Sequence, residues 1–81
     1  MDIKIYTNPN CSWCQKAKAW FKKKKQSFQE LDLDESDTYR DEILEKTRQL
    51  ATPVIDIDGE IIVGFDEPAL TLAIEKAKNK I

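Results

Sequence analysis

Apolar and polar residues follow two different repeats at the start of the chain. Ile3 and Ile5 flank Lys4, which is the two-residue alternation of a β-strand with one buried face, so residues 2–6 are predicted to form a strand. After a polar loop, the apolar residues recur at helical spacing, as Trp13, Ala17, Trp20 and Phe21. This change of period predicts a helix from about residue 12 to residue 25.

The next segment repeats the order of strand and helix. Residues 28–33 alternate less regularly between apolar and polar side chains, which indicates a second strand. An acidic loop leads into a second predicted helix at residues 36–49, where Ser36 or Asp37 is suited to cap the first turn. The apolar residues expected to be buried here are Ile43, Leu44 and Leu50.

The last third of the chain predicts a β-hairpin and a helix. Two β-branched runs, residues 54–57 and 60–64, flank Asp58-Gly59, the strongest short signal for a hairpin turn. Residues 67–80 then carry apolar residues at helical spacing, and Pro68 falls in the first turn, where proline is tolerated.

The predicted elements follow the order β-α-β-α-β-β-α. Because a strand–helix–strand connection is right-handed, the first two strands are expected to be parallel neighbours, and the hairpin adds an antiparallel edge. The expectation is an α/β fold with a four-stranded mixed sheet flanked by three helices. The length of 81 residues fits one domain, residues 1–81.

Charge and composition narrow the classes of function. The net charge is −2 and the only concentrated basic run is residues 22–25, so nucleic-acid binding is not expected. That run suits the negative end of a helix dipole, and the alternative is that it steers anionic partners. With no apolar stretch of about 18 residues and no leader pattern, we expect a cytoplasmic monomer that does not enter a membrane.

The two cysteines, Cys11 and Cys14, stand where the strand pattern gives way to the helix pattern. A cysteine at a helix N-terminus faces unpaired backbone N–H groups and the positive end of the dipole, which stabilise a thiolate. Cysteines in such positions have pKa values of about 3.5–7.5 instead of about 8.5. We therefore expect Cys11 to be the nucleophile and Cys14, one turn later, to be the resolving thiol.

Other uses of the cysteine pair fit the sequence less well. Buried structural cysteines are common, but not at this spacing directly after a strand. A zinc site needs four ligands, and without histidine it would require a second chain or an added thiol. Because the chain has no histidine that could act as a base, ionisation of Cys11 must rely on the helix dipole and on cations such as Lys16 or Lys18. Trp13 is expected either to shape a docking surface or to be an ordinary apolar helix residue.

Three segments together resemble the glutaredoxins, and the resemblance extends along the whole chain. They are residues 5–14 with Cys-Ser-Trp-Cys, the sequence Ala51-Thr52-Pro53-Val54, and residues 58–64. The resemblance implies a thioredoxin-like fold and a thiol-disulfide oxidoreductase that acts through Cys11 and Cys14 without a tightly bound cofactor.

The resemblance also implies a substrate site. Pro53 would form a cis peptide bond beside the cysteines, and the backbone of Thr52 would offer an N–H and a C=O to an extended thiol peptide. If that peptide is glutathione, its glycine carboxylate would lie near Gln49 and its γ-glutamyl end near Asp66 and Glu67. The implied substrate- or glutathione-binding residues are Pro9, Trp13, Gln49, Thr52, Pro53, Gly64, Phe65 and Asp66.

The chain departs from the usual glutaredoxin pattern at this site. Asn8 stands where many members have a lysine, and Phe65 stands where they have a second glycine. Ser12 replaces a proline between the cysteines, and Ala51-Thr52-Pro53 replaces Thr-Val-Pro. The missing cation and glycine should lower the affinity for glutathione.

The resemblance leaves the reductant open. Val63-Gly64-Phe65-Asp66 is typical of small bacterial and archaeal glutaredoxin-like proteins, which are akin to the NrdH-redoxins that thioredoxin reductase typically reduces. The expected partners are disulfide substrates with either glutathione as co-substrate or a thioredoxin-reductase-like flavoenzyme. An alternative function is binding of an iron–sulfur cluster between two chains through Cys11 and glutathione, and a third is a redox-inactive interaction domain.

Overall fold

The predicted order of elements is confirmed in the computed structural model, which describes residues 2–49 and 52–79. The elements are β1 (Ile3–Thr7), α1 (Ser12–Lys23), β2 (Gln29–Asp32), α2 (Asp37–Thr47), β3 (Val54–Ile57), β4 (Glu60–Val63) and α3 (Glu67–Lys78). Each begins and ends within two residues of its predicted bounds. Across these residues, no helix combines the length and the apolar character that a membrane span requires.

The four strands form one mixed sheet in the order β2-β1-β3-β4. β1 runs parallel to β2, with Ile5 opposite Glu30, and antiparallel to β3, with Ile5 opposite Ile55. β3 in turn pairs antiparallel with β4, with Ile55 opposite Ile62. The parallel pair is the one that the crossover rule predicts, and the hairpin supplies the antiparallel edge.

The two faces of β1 contact different helices, because successive side chains of a strand point to opposite sides of the sheet. Ile5 belongs to the core shared with α1 and α3, which also contains Phe21 and Leu70. Tyr6 belongs to the smaller core beneath α2, together with Ile43. α1 follows the end of this central strand after a short loop, and this places the cysteine pair at one end of the sheet.

α1 ends two residues earlier than the lysine-rich sequence predicts. Lys25 has a left-handed backbone conformation with φ of +58°, and its N–H donates to the carbonyl of Lys22 at 3.1 Å. The N–H of Gln26 donates to the carbonyl of Phe21 at 2.9 Å. These two bonds form a Schellman motif, which usually has glycine at the left-handed position. With lysine there, the sequence carries no stop signal.

The prediction that Leu44 is buried is wrong. Leu44 is 44% exposed, whereas the adjacent Ile43 is completely buried. Consecutive helix residues point about 100° apart, and Ile43 is the one fully buried residue among those described for α2. The stripe that this helix buries is therefore too narrow to include both. The predicted burial of Leu50 lies outside the described residues.

A polar cluster supplements the few apolar contacts of α2. The Nζ of Lys46 donates to the hydroxyl of Tyr6 at 3.0 Å and to the carboxylate of Asp56 at 2.9 Å. The other carboxylate oxygen of Asp56 accepts the N–H of Gly59 at 2.8 Å. Partial burial alone would lower the pKa of Lys46, but its hydrogen bonds to Tyr6 and Asp56 outweigh that effect and raise the pKa. A charged side chain thus fixes α2 to β1 and β3.

Candidate active site

Asn8 holds the loop between β1 and α1 in a tight turn. Its side-chain Oδ1 accepts the N–H of Asn10 at 3.0 Å, and its carbonyl accepts the N–H of Cys11 at 3.0 Å. Pro9, between them, is exposed. Because a residue before proline is held away from the helical conformation, the chain turns first, and the helix begins only after Cys11.

Cys11 is the N-cap residue of α1. Its backbone is extended, with φ of −97° and ψ of 108°, and its Sγ accepts the N–H of Cys14 at 3.1 Å. An N-cap side chain is normally the oxygen of Ser, Thr, Asp or Asn, so a sulfur takes the place of the capping oxygen. Cys11 is half-buried, whereas Cys14 is completely buried.

The surroundings of Cys11 favour its thiolate. Partial burial alone would raise its pKa, but hydrogen bonds outweigh that effect and lower the pKa. The donors are the thiol of Cys14, the side chain of Thr52, and the backbone N–H groups of Cys14 and Trp13. The two backbone donors belong to the first turn of α1, which is the source of stabilisation that the sequence predicts.

Cys14 is shifted in the opposite direction. Burial first, and then the neighbouring Cys11, raise the pKa of the Cys14 thiol to about 11, against smaller lowering effects of the Asn8 N–H and the Thr52 side chain. The pair therefore combines an activated thiol at the surface with a protonated thiol beneath it. This is the asymmetry that a nucleophile and a resolving cysteine require.

The two lysines expected to activate Cys11 have other partners. The Nζ of Lys18 lies 2.8 Å from Oε2 of Glu30, and the Nζ of Lys16 lies 4.4 Å from the centroid of the Trp13 ring. Glu30 is twelve residues beyond Lys18 in the sequence, on β2. Hydrogen-bond donors, and not these cations, are the groups that lower the pKa of Cys11.

A groove of about 240 Å³ lies next to the cysteine pair. Its described lining residues are Trp13, Thr52, Pro53, Gly64 and Phe65. The Thr52–Pro53 peptide bond is cis, as the resemblance implies. The N–H of Gly64 donates to the carbonyl of Pro53 at 2.8 Å, and the φ of +87° at Gly64 is one that residues with a Cβ rarely adopt. The end of β4 is thereby joined to the proline.

The wall of the groove is aromatic. Phe65 stands between Trp13 and Trp20, with its ring centroid 6.3 Å from each of theirs. Trp13 lines the groove and is 54% exposed, which favours the docking role over that of an ordinary apolar helix residue. Among the described lining residues, none carries a charge.

Three predicted binding residues are not among the described residues that line this groove. Pro9 is exposed in the loop. Gln49 is exposed after α2, and its N–H donates to the hydroxyl of Thr47 at 3.2 Å. Asp66 caps α3, with its Oδ1 accepting the N–H of Ala69 at 3.3 Å. Their expected roles toward glutathione stay predictions.

Two contacts to the sulfurs are not evident from the sequence. The side chain of Thr52 acts on Cys11, although the sequence assigned it only a backbone role. The N–H of Asn8 acts on Cys14. A hydroxyl residue directly before the proline is a signal for the first contact. The contact of the Asn8 N–H with Cys14 depends on the geometry of the turn, and no residue type in the sequence indicates it.

Comparison with known proteins agrees with this geometry. The glutaredoxin family model matches residues 3–62, a span that contains both cysteines and Pro53. The chain belongs to the glutaredoxin family. The predicted family is confirmed, and members of this family are thiol-disulfide oxidoreductases.

Individual relatives extend the match to nearly the whole chain. An uncharacterised glutaredoxin-like 8.6 kDa protein in the rubredoxin operon of Clostridium pasteurianum is 40% identical, over 91% of this chain and 99% of its own. Glutaredoxin 3 of Escherichia coli (strain K12) is 36% identical, over 82% of this chain and 80% of its own. A thioredoxin-like protein of known crystal structure superimposes with a TM-score of 0.82 at 29% identity, over 89% of this chain and 99% of its own. The predicted thioredoxin-like fold is confirmed.

Proposed function

We propose that this glutaredoxin-family protein reduces disulfides by dithiol exchange through Cys11 and Cys14. The observation that supports the proposal best is the hydrogen bond of 3.1 Å from the N–H of Cys14 to the Sγ of Cys11, because it stabilises a thiolate at a helix N-terminus. The half-buried sulfur of Cys11 is within reach of a substrate, whereas Cys14 is buried.

In the first step, the Cys11 thiolate attacks one sulfur of the substrate disulfide. A new S–S bond joins Cys11 to that half of the substrate, and the other half leaves with the electron pair of the broken bond as a thiolate, which takes up a proton. The lowered pKa of Cys11 increases the fraction of nucleophilic thiolate near neutral pH.

In the second step, Cys14 attacks the sulfur of Cys11. The Cys14 thiol loses its proton, the Cys11–Cys14 bond forms, and the remaining half of the substrate leaves as a thiolate that accepts a proton. Burial and the neighbouring Cys11 raise the pKa of Cys14. Once Cys11 is in the mixed disulfide, it no longer carries a charge that opposes ionisation of Cys14, so the resolving thiol ionises more readily at this stage.

The groove beside Cys11 and Cys14 is the proposed substrate-binding site. An extended peptide that pairs with the backbone of Thr52 would bring its sulfur to Cys11, in the manner of an added strand. The aromatic side chains of Trp13 and Phe65 would then contact the residues that flank the substrate cysteine. A groove with this lining favours apolar or uncharged flanking residues over the charged ends of a small peptide.

The proposed reductant of the Cys11–Cys14 disulfide is the dithiol of a thioredoxin-reductase-like flavoenzyme. Glutathione is an anionic tripeptide, and no described lining residue of the groove is a cation. Asn8 and Phe65 replace the lysine and glycine of many glutaredoxins, and both changes act against glutathione. Glutathione is then a slower co-substrate.

The test compares two reducing systems with hydroxyethyl disulfide as substrate. One contains NADPH and thioredoxin reductase, and the other contains glutathione, NADPH and glutathione reductase. We expect faster turnover in the first, loss of turnover in both with Cys11→Ser, and accumulation of a mixed disulfide, seen by mass spectrometry, with Cys14→Ser. Turnover by the two variants equal to that of the parent would identify a redox-inactive interaction domain.

The alternative function, binding of an iron–sulfur cluster, can be tested with the parent and the same Cys11→Ser variant. Within residues 2–49 and 52–79, no group of three or more His, Cys, Asp or Glu side chains is arranged to hold a metal ion. A cluster bound through Cys11 would therefore need ligands from outside this part of the chain. Protein purified without oxygen should show no visible absorbance, and an absorbance that Cys11→Ser abolishes would support cluster binding instead.

A further inference from the structure

The charges of the chain are divided unevenly between its segments. Residues 3–29 contain no acidic residue and seven lysines, which are Lys4, Lys16, Lys18, Lys22, Lys23, Lys24 and Lys25. Residues 30–49, which include β2 and α2, contain eight acidic residues and three basic ones. Since α1 and α2 pack on opposite faces of the sheet, the molecule has a basic α1 side and an acidic α2 side despite a net charge of −2.

Two lysines of α1 lie along a line that starts beside Cys11. Residues separated by four or by eleven positions lie on the same side of an α-helix, so Ser12, Lys16 and Lys23 share one face. All three are exposed. At a rise of about 1.5 Å per residue, the line is about 16 Å long. We refer to Lys16 and Lys23 as the basic ridge.

The helix dipole explains why a lysine is favourable at position 23 but not why one stands at position 16. Lys22 and Lys23 lie in the last turn, where cations complement the negative end of the dipole. Lys16 lies in the second turn, closer to the positive end, where the dipole does not favour a cation. In the described parts of the chain, Lys18 is the only lysine of α1 in an ion pair, with Glu30. Lys16 lies over the ring of Trp13, at 4.4 Å from its centroid, but it is exposed, and an exposed cation–π contact does not neutralise its charge. The ridge is therefore available to a partner.

We propose that the basic ridge docks protein partners that carry acidic residues beside their disulfide. The inference rests on the proposed function and deepens it, because it names the class of substrate that reaches Cys11 fastest. Carboxylates that contact Lys16 and Lys23 orient the partner along α1 with its disulfide toward the capped end of the helix. Complementary charge of this kind acts mainly on the association rate.

A protein is favoured over a nucleic acid as the occupant of the ridge. The acidic side of the molecule and its net charge of −2 repel a long polyanion. A protein with a local acidic patch can meet the basic ridge and avoid α2. The ridge also leads to Cys11, whose chemistry requires a disulfide and has no use for a phosphate backbone.

The experiment uses three disulfide-linked peptides with the same uncharged residues next to the disulfide, which occupy the groove. They differ only in a segment farther along the peptide that can reach Lys16 and Lys23, and this segment carries Asp, Ser or Lys. The kcat/KM for each is measured at about 0.01 M ionic strength, where the Debye length is about 30 Å, and at about 1 M, where it is about 3 Å. The ridge variant is Lys16→Glu with Lys23→Glu. The matched control is Arg40→Glu with Lys76→Glu, which makes the same change of net charge at exposed positions of α2 and α3.

At low ionic strength, we expect the parent to reduce the Asp peptide about tenfold faster than the Lys peptide, and we expect this preference to vanish at high ionic strength. The ridge variant should invert the preference, and the control should keep the parent's order. Circular dichroism of both variants verifies that they are folded.

Four results would overturn the inference. Equal kcat/KM for all peptides in the parent at low ionic strength, or the same inversion in the control, would overturn the docking ridge and leave dithiol exchange intact. Failure of all peptides to be reduced at either ionic strength would contradict the proposed function and the ridge with it. Equal peptide rates, together with binding of single-stranded DNA that only the ridge variant loses, would assign the ridge to nucleic acid.

Discussion

The backbone N–H of Cys14 donates to the Sγ of Cys11 at 3.1 Å, so one hydrogen bond both caps α1 and stabilises the thiolate of the exposed cysteine. Capping of α1 and ionisation of Cys11 are therefore coupled in this protein. A change that strengthens the cap should increase the thiolate fraction, and a change of ionisation at Cys11 should alter the stability of the helix.

Replacing Cys11 should affect stability according to whether the new residue can cap the helix. Cys11→Ser keeps an acceptor at the N-cap, whereas Cys11→Ala removes it, which typically costs about 1 kcal/mol. For a protein of this size, that difference lowers the Tm by roughly 4–8 °C. Thermal unfolding of both variants, followed by circular dichroism, measures the gap. Equal Tm values would show that the sulfur does not act as a cap.

The stability of the reduced protein should depend on alkaline pH through both thiols. The lowered pKa of Cys11 means that its contribution is present above the ordinary thiol value near 9.0 and is lost as pH falls through the folded pKa. The pKa of Cys14 is raised to about 11, mainly by burial, so its contribution is present below about 9.0 and is lost as pH rises through about 11.

Urea unfolding in the presence of a reductant measures both effects. Between pH 9 and pH 11, the parent should lose more stability than Cys14→Ser does, because only the parent retains the buried thiol. Below pH 9, the parent should gain more stability with rising pH than Cys11→Ser does. Parallel curves for all three proteins would contradict the assigned pKa directions.

Removing the hydroxyl of Thr52 should raise the pKa of Cys11. Partial burial of Cys11 acts in the same direction, and the Thr52 side chain is one of the donors that offset it. Thr52→Val keeps the shape and removes the donor, whereas Thr52→Ser keeps a hydroxyl and serves as the control. The rate of alkylation by iodoacetamide as a function of pH reports the thiolate fraction. A Thr52→Val curve that coincides with the parent's would leave the side chain without this role.

The signals from which the fold was predictable are local in the sequence. The alternation at Ile3 and Ile5 and the Asp58-Gly59 turn each specify an element within a few residues. The end of α1 is different, because Lys25 takes a left-handed conformation that its residue type does not favour. The exposure of Leu44 was also missed, since it depends on how much of α2 the sheet covers.

The candidate site was predictable where the chemistry resides in adjacent residues. Cys11 and Cys14 are three positions apart, and their order along the helix predicts which is the nucleophile and which is the resolving thiol. Contacts between distant segments were not predictable in the same way. Thr52 reaches Cys11 only because the sheet brings β3 beside β1. Lys18 faces Glu30 because β2 runs parallel to β1, and the sequence alone left that lysine free to act on the thiol.

Lys25→Gly should stabilise the protein. A residue with a Cβ at φ of +58° is strained relative to glycine, by about 1–2 kcal/mol, and the greater entropy of glycine in the unfolded chain offsets part of the gain. We expect a net increase of about 0.5 kcal/mol in the free energy of unfolding. Lys24→Gly removes the same charge at φ of −82° and should destabilise instead. The two variants changing stability in the same direction would refute the Schellman argument.

Lys46→Met should destabilise the protein far more than a surface lysine change does. It leaves the carboxylate of Asp56, which is 8% exposed, and the buried hydroxyl of Tyr6 without their ammonium donor. We expect a loss of about 1–3 kcal/mol. Lys76→Met is the control, because its pair with Glu60 is exposed at 3.5 Å and should contribute less than about 0.5 kcal/mol.

A double-mutant cycle of Lys46→Met with Asp56→Asn isolates the charge pair, since the amide oxygen of asparagine can still accept the N–H of Gly59. We expect a coupling of about 1 kcal/mol or more at neutral pH. Partial burial opposes the raised pKa of Lys46, and the hydrogen bonds to Tyr6 and Asp56 cause it. From neutral pH up to the ordinary lysine pKa near 10.5, the contribution of Lys46 to the coupling should therefore be complete, and it should decline at higher pH. Additive effects of the two substitutions at pH 7 would show instead that apolar packing alone holds α2 on the sheet.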